Sequence, residues 1–526
     1  MSDLRIRMRP PKIPGYILII LAAGVFVRIL HLFFISFAAP FHLGGLYYEF
    51  SRQIILNHFV LPVNIPYYSP GGIPFAYPPL SFYLQAVILK LFSPPLFVTV
   101  DLLPPLLAAL SVPVFYWMVV QLTEDHKVQA ACLLAFALMP SAFVNQIEGA
   151  GLAEACGTLA LLAFLGYLFR FDKAPSLSTT VLAGVMLGLC LLSSPGSAYG
   201  VVIISVLYFL LELGKNINKR SYRSTGLLFL TGLTGLIVSA PYWLTVILHH
   251  DLGIFLNAFM YQHSGGAVIN QIRYMITFKP ADMILFVSDE GTYGFLFDWL
   301  ILAGLIWAVL NKHVYFVVIF FTLWLIPRLG SWLVAIPGAL LAGFGIVYLV
   351  WPLFQKAFSS RKINERPPLM PGVLLLVLAM VLIVSPLLAV QDMLNRVEMK
   401  FTPAEAVTLY QERALIPENA HVLIAGNGAL QEWAPALLER EVLNCQFGLE
   451  WKPADLQTVY LINDALDGDD LAKAMTIIHA YTGDTMVWLV GDPIQVAKLA
   501  EAAVPPLEIA VQKQTSDLTF AIVQTK

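Results

Sequence analysis

Residues 77–92 read YPPLSFYLQAVILKLF, and whether this run crosses a membrane decides how the rest of the chain is threaded. It is apolar, but short for a hydrocarbon core about 30 Å thick, which takes roughly 20 helical residues. Pro78-Pro79 opens it and Pro94-Pro95 follows it, so both ends are punctuated. Charge elsewhere in the chain settles its place, because cytoplasmic loops of membrane proteins collect Lys and Arg. Three basic clusters stand out: Arg5, Arg7, Arg9 and Lys12; Lys215, Lys219, Arg220 and Arg223; Lys356, Arg361, Lys362 and Arg366. If all three share one side, an even number of spans separates each pair. Apolar runs at 15–38, 103–122, 128–146, 152–170, 177–193 and 197–213 lie between the first two clusters. Runs at 225–247, 293–311, 313–327 and 331–353 lie between the second and third, and 369–390 carries the chain out again. Adding 77–92 would break the parity and put the basic loop 215–223 outside. The run therefore reads as a juxtamembrane or re-entrant helix, tolerated where protein covers its backbone.

Composition agrees with this threading. The chain has 526 residues, 58% of them hydrophobic and 12% charged, with mean hydropathy +0.75. A soluble domain carries about twice that charge. The sequence thus predicts a polytopic α-helical membrane protein of about 11 spans, with a cytoplasmic N-terminus. The first apolar run reaches Ala38, too long for a signal-peptide core, so it reads as an uncleaved span. From Gln391 onward there are 19 acidic and 9 basic residues, against 15 and 22 before it. That divides the chain into a transmembrane domain, 1–390, and an acidic extracytoplasmic domain, 391–526. Membrane lipids are implied as surroundings, and nothing points to nucleic acid.

The tail alternates β-like runs (421–425, 459–462, 486–490, 507–511, 518–523) with helix-like stretches (404–413, 430–439, 471–480, 494–502). Such alternation predicts a small α/β domain. The GNG at Gly426, Asn427 and Gly428 lacks the third spaced glycine of a nucleotide fingerprint and reads as a strand-to-helix turn. Cys132, Cys156 and Cys190 sit in apolar spans as small hydrophobes, and Cys445 stands alone in the tail. There is no Walker loop, CxxC pair, HExxH or internal repeat.

The parity argument leaves external loops at 39–102 and 249–292. In the first, Leu46, Phe50 and Ile54 form one helical face, and Glu49, Arg52 and Gln53 form a polar stripe expected to face water or a site. The stripe reads equally as an ion pair on a solvated face. Tyr67, Tyr68 and Tyr77 suit the interfacial aromatic belt. Gly71-Gly72 and the prolines around them set a turn-rich backbone. Long ordered loops of this kind are usually functional.

A first span carrying Arg28, a helix reading LYYEFSRQI and a YPPL motif resemble the GT-C glycosyltransferases. The nearest branch is the protein O-mannosyltransferase and lipid A aminoarabinose transferase group. The charged turn NQIEGAGLAEA and the basic corner Pro327-Arg328 are similar too, so the resemblance runs in order over about residues 15–350. The tail's EWAPALLERE and LNCQFGLEW resemble extracytoplasmic domains of some bacterial members, which implies a bacterial plasma membrane.

The resemblance implies an inverting transfer of sugar from a polyprenyl-phosphate donor to an acceptor protein, lipid or glycan. A carboxylate would act as base and cations would hold the departing phosphate, as the chemistry requires. That family carries an acid, often Asp-Glu, just before the surface helix; aligned on LYYEFSRQI, those positions hold Leu43 and Gly44. Glu154, then Glu148, then Glu49 are the candidates to replace it, with Asp101 and His42 behind them and Arg52 and Tyr77 nearby. The structural alternative for Glu154 is a bridge to Arg28. For the phosphate the candidates are Arg328, Arg273 and Lys279, with His263 in the same loop; snorkelling to lipid headgroups is the alternative for the loop cations. A divalent metal is compatible with the superfamily, but no ligand spacing supports one. Rival readings are a non-catalytic relative, prompted by the missing acid, and a secondary transporter, which would call for inverted repeats and midplane charges.

Overall fold

The structure is a computed structural model that describes residues 13–219, 222–256, 295–325, 331–359, 369–396, 400–503 and 507–525. Among the described residues, six helices are long and apolar enough to cross a membrane: Gly15–Phe33, Val98–Leu122, Gly149–Lys173, Pro195–Gly214, Arg223–His250 and Trp332–Lys356. A seventh arises if His126–Leu138 and Pro140–Gln146, bent by 82°, count as one. The bend falls at Met139, whose extended ψ of 117° suits a residue ahead of Pro140. Shorter apolar helices include Leu177–Ser193, Leu296–Leu310, Val314–Trp324 and Leu382–Asn395. Helices α1 (Gly15–Ile29), α4 (Val98–Leu122), α5 (His126–Leu138) and α6 (Leu152–Lys173) form the packed centre with Ser331–Gly345. Leu18, Ile19, Leu236, Ile237 and Leu248 are exposed on α1 and on the helix Arg223–His250, as lipid-facing side chains would be.

The first long loop, 39–102, is a built object. Helix α2 (Gly45–Leu56) is followed by a two-residue ladder, β1 (Asn64–Ile65) against β2 (Ile73–Pro74), and by α3 (Leu80–Phe92). At 1.5 Å per residue, the 13 residues of α3 reach only about 20 Å. Helix α3 buries Ser81, Phe82, Gln85 and Ala86 and packs on α2, α4, α6 and α7 (Leu177–Ser193).

The tail forms a four-stranded sheet in the order β3-β4-β6-β5. Strands β3 (Val422–Ala425) and β4 (Met486–Gly491) are parallel; β6 (Thr519–Thr525) runs antiparallel to β4 and to β5 (Leu507–Gln514). Asn427 caps the helix Gly428–Leu438 by accepting from Leu430, so GNG is a strand-to-helix turn. One expected strand is wrong. Residues 459–462 lie inside the helix Pro453–Asp467. Its buried Leu456, Val459, Ile462, Ala465 and Leu466 follow a helical period, which the short apolar run VYLI concealed.

The tail and the first loop share one core. Leu46, Phe50, Ile54, Tyr68, Phe75 and Phe82 from the loop cluster with Leu430, Trp433, Leu437, Leu456 and Phe520 from the tail. Trp433 is fully buried, edge-on to Phe97 and stacked on Phe401. Backbone pairing reinforces the seam: Val442 donates to the Tyr67 carbonyl and Gly71 donates to Glu441. The polar stripe of α2 is therefore partly covered by the tail. Glu49 is fully buried, and Arg52 bridges to Glu439 of the tail at 2.7 Å.

Candidate functional site

Helix α2 begins without a cap of its own. Its N-cap is Gly44, at φ +145°, and its first turn holds no acid, so several backbone N–H groups point outward unsatisfied. Glu432, from the tail helix Gly428–Leu438, meets them. Gly44 donates to Oε2 at 2.6 Å and Leu46 to Oε1 at 3.4 Å, and the Gly45 N–H points at the same carboxylate. A carboxylate at a helix N-terminus is favoured by both the hydrogen bonds and the helix dipole. The neighbouring Trp433 donates from Nε1 to the His42 carbonyl at 3.0 Å, and Tyr68 donates to the Glu432 carbonyl at 3.1 Å.

Close approach requires the glycines. A Cβ on Gly44 would lie 2.6 Å from Val100 Cγ1, and one on Gly45 would lie 2.8 Å from the Glu432 carbonyl oxygen. A Cβ on Gly149 would lie 2.3 Å from the Leu43 carbonyl oxygen, so the turn before α6 presses directly on the first loop.

These contacts border an open cavity of about 370 Å³ whose walls include Leu43, Tyr47, Tyr77, Ala150, Glu432 and Glu450. Membrane-domain loops form one side and the tail the other. Glu154, in the first turn of α6, is close enough to act electrostatically on both Tyr47 and Tyr77. Its Oε2 is buried without a hydrogen-bond partner, as is Oε1 of Glu450. Burial pushes Glu432 up to about 7, outweighing the three backbone N–H groups that hold its charge. Burial likewise raises Glu450, against its hydrogen bond with Tyr77, and raises the Tyr47 and Tyr77 hydroxyls.

Glu148 forms a separate group, 3.5 Å from His42 Nδ1 and 3.5 Å from Arg396. The His42 ring stacks on Phe41. Asp101 accepts from the Phe41 N–H at 2.8 Å and so pins this loop from α4. Glu49 accepts from Gln53 and pairs with Arg52 at 3.3 Å, and burial raises it to about 7. Of the sequence candidates, Tyr77 lies in the cavity wall and Glu154 beside it; Glu148, His42 and Asp101 buttress the loop, and Glu49 and Arg52 sit at the seam with the tail. The Glu154–Arg28 bridge does not form. The Arg28 guanidinium donates to the carbonyls of Gly24, Phe136 and Ala137 and lies over the rings of Phe136 and Phe143. Arg328, Arg273, Lys279 and His263 lie outside the described residues. Among the described residues, no group of three or more His, Cys, Asp or Glu is placed to hold a metal ion.

Sequence reasoning missed Glu432 and Glu450. Both lie in the tail segments that carry the family resemblance, each just before a tryptophan, as EW. A buried acid next to a core aromatic was the available signal, but the cavity partners of these two glutamates are hundreds of residues away.

The sequence matches no protein-family model and no curated protein. The fold matches solved structures. The oligosaccharyltransferase AglB from Archaeoglobus fulgidus, solved with an inhibitory peptide and a dolichol-phosphate, superposes with a TM-score of 0.58 at 13% identity, over 96% of this chain and 73% of that one. ArnT from Cupriavidus metallidurans, solved with undecaprenyl phosphate, gives 0.55 at 15% identity, over 97% of this chain and 98% of that one. The Archaeoglobus enzyme tethered to an acceptor peptide gives 0.58 at 14% identity, over 97% and 74%. This chain is a polytopic membrane protein that shares the fold of these solved structures.

Proposed function

We propose that this chain is an integral-membrane glycosyltransferase that moves a sugar from a polyprenyl-phosphate donor to an extracytoplasmic acceptor. The observation that carries the reading is the cavity at the start of α6, with Tyr47 and Tyr77 on its wall and the unpaired Glu154 Oε2 beside it. Buried carboxylates without partners are costly unless a ligand satisfies them. In this reading the eleven sequence spans thread the membrane, the N-terminus is cytoplasmic, and the first loop and the domain 391–526 lie on the outer face.

Glu154 is the base. An acceptor hydroxyl attacks the anomeric carbon opposite the phosphate. The new C–O bond forms as the anomeric bond to phosphate oxygen breaks, and configuration inverts. The bonding pair leaves with the polyprenyl phosphate, and the acceptor proton passes to Glu154. Arg328, Arg273 and Lys279 are assigned to the charge of the departing phosphate. Glu148 holds the loop through His42 rather than reacting.

The test uses the full chain in proteoliposomes, with a panel of undecaprenyl-phosphate-linked sugars and envelope extract as acceptor source. Polyprenyl phosphate release is followed. Wild type releases it with at least one donor, and Glu154→Gln lowers the rate about 10²- to 10⁴-fold. A folded Glu154→Gln with wild-type turnover removes Glu154 as base. A wild-type protein that turns over no donor favours the non-catalytic reading.

A further inference from the structure

We infer that Glu432, delivered by the tail, is the second carboxylate of the transfer site and takes the place of the acid missing from the first loop. The inference rests on the glycosyltransferase reading and goes beyond it, because it makes the tail a working part of the site.

Three independent observations converge on Glu432. Its position is the first. The carboxylate sits on the backbone N–H groups of Gly44, Gly45 and Leu46, at the start of the surface helix. That is where a residue-43/44 acid would have stood, and Leu43 and Gly44 supply none. Its surroundings are the second. Glu432 is 3% exposed and forms part of the wall of the cavity that Tyr47 and Tyr77 also line. Glu154 and Glu432 both act electrostatically on Tyr47, which lines the same cavity as Glu432. Steric exclusion is the third. No acid fits at 44 or 45, because a Cβ there collides with Val100 or with the Glu432 backbone. A helix end needing only a cap is served locally by Ser, Thr, Asp or Asn. Here two glycines clear the space and the carboxylate comes from 388 residues away.

The role follows from charge. As the anomeric bond breaks, positive charge builds on the sugar ring, and a carboxylate fixed in the cavity wall stabilises it. Glu432 forms and breaks no covalent bond and transfers no proton. Its backbone donors hold it in position before the sugar arrives.

The experiment compares wild type, Glu432→Gln, Leu43→Asp and the double variant Glu432→Gln/Leu43→Asp in the proteoliposome assay, with melting temperature as the folding control. Glu432→Gln keeps a side-chain carbonyl for Gly44 and loses the charge. Its kcat is expected to fall about 100-fold; its melting temperature falls too, because the amide NH2 now faces the Leu46 N–H, and the double variant carries the same melting loss, so recovered kcat reads the charge alone. Leu43→Asp returns an acid to the cavity wall from the first loop, and the double variant is expected to recover most of the loss. Wild-type kcat in Glu432→Gln overturns the inference. So does a gain of activity, which would make the tail a plug. A loss that Leu43→Asp does not restore assigns Glu432 to the interface alone and also overturns it. An inactive wild type sinks the glycosyltransferase reading itself, and is distinct from all of these.

Discussion

Gly45→Ala tests whether the tail is seated on the first loop as tightly as the geometry requires. The added Cβ would lie 2.8 Å from the Glu432 carbonyl oxygen, 3.0 Å from the Trp433 Cα and 3.1 Å from the Glu432 carbonyl carbon. All three are backbone atoms of one helix, so no rotamer change relieves the clash. The helix must retreat by roughly 0.5–1 Å to restore ordinary contact, and a gap of that size forfeits a quarter to a half of each lost contact. The 2.6 Å hydrogen bond from Gly44 lengthens with it. Overpacking of this kind costs about 1–3 kcal/mol, or about a 5- to 150-fold shift toward the undocked tail. Gly428→Ala is the control: its Cβ meets nothing within 4 Å, and it sits at the first residue of the same helix. Hydrogen exchange in detergent reads the result, with amides of 44–46 and 428–438 expected to lose protection in Gly45→Ala and keep it in Gly428→Ala. Equal protection in both variants would refute the close seating and, with it, the steric argument for Glu432.

Trp433→Ala removes the largest fully buried side chain of the seam and is expected to cost about 3–5 kcal/mol; an unchanged melting temperature would contradict a shared core. Glu49 is raised from 4.5 to about 7 by burial, so the folded state binds more protons than the unfolded chain between those values. Stability is then full below about 4.5 and is lost as pH rises through 7; Glu49→Gln should remove part of that slope in melting temperature against pH, and parallel slopes would count against it. A double-mutant cycle on Arg52 and Glu439, whose side chains are 22% and 33% exposed, is expected to give a coupling of only about 0.5–1 kcal/mol; a coupling of several kcal/mol would mean the pair is desolvated.

Much of the first loop was legible because its cues are local. The face Leu46, Phe50 and Ile54 announced α2, and the prolines around 77–92 marked a short helix. The sheet strands other than 459–462 were legible for the same reason. The failures share one cause. Glu49, Arg52 and Gln53 read as a solvated stripe because nothing near them in sequence reveals that the tail partly covers them. Glu432 was invisible as a site residue because its role depends on two glycines in another region, and a glycine leaves no side chain to read. Residues 459–462 were misread because four apolar residues cannot distinguish a strand from one face of a helix.

The shared core also sets an order of assembly. Gly44 and Glu432 lie 388 residues apart, so at about 5–20 residues per second the first loop waits roughly 20–80 s for its partner. Throughout that interval Leu46, Phe50 and Phe82 lack the tail residues of their shared core, and α2 lacks its carboxylate. The loop is therefore the last part of the membrane domain to mature, although it is among the first to be made.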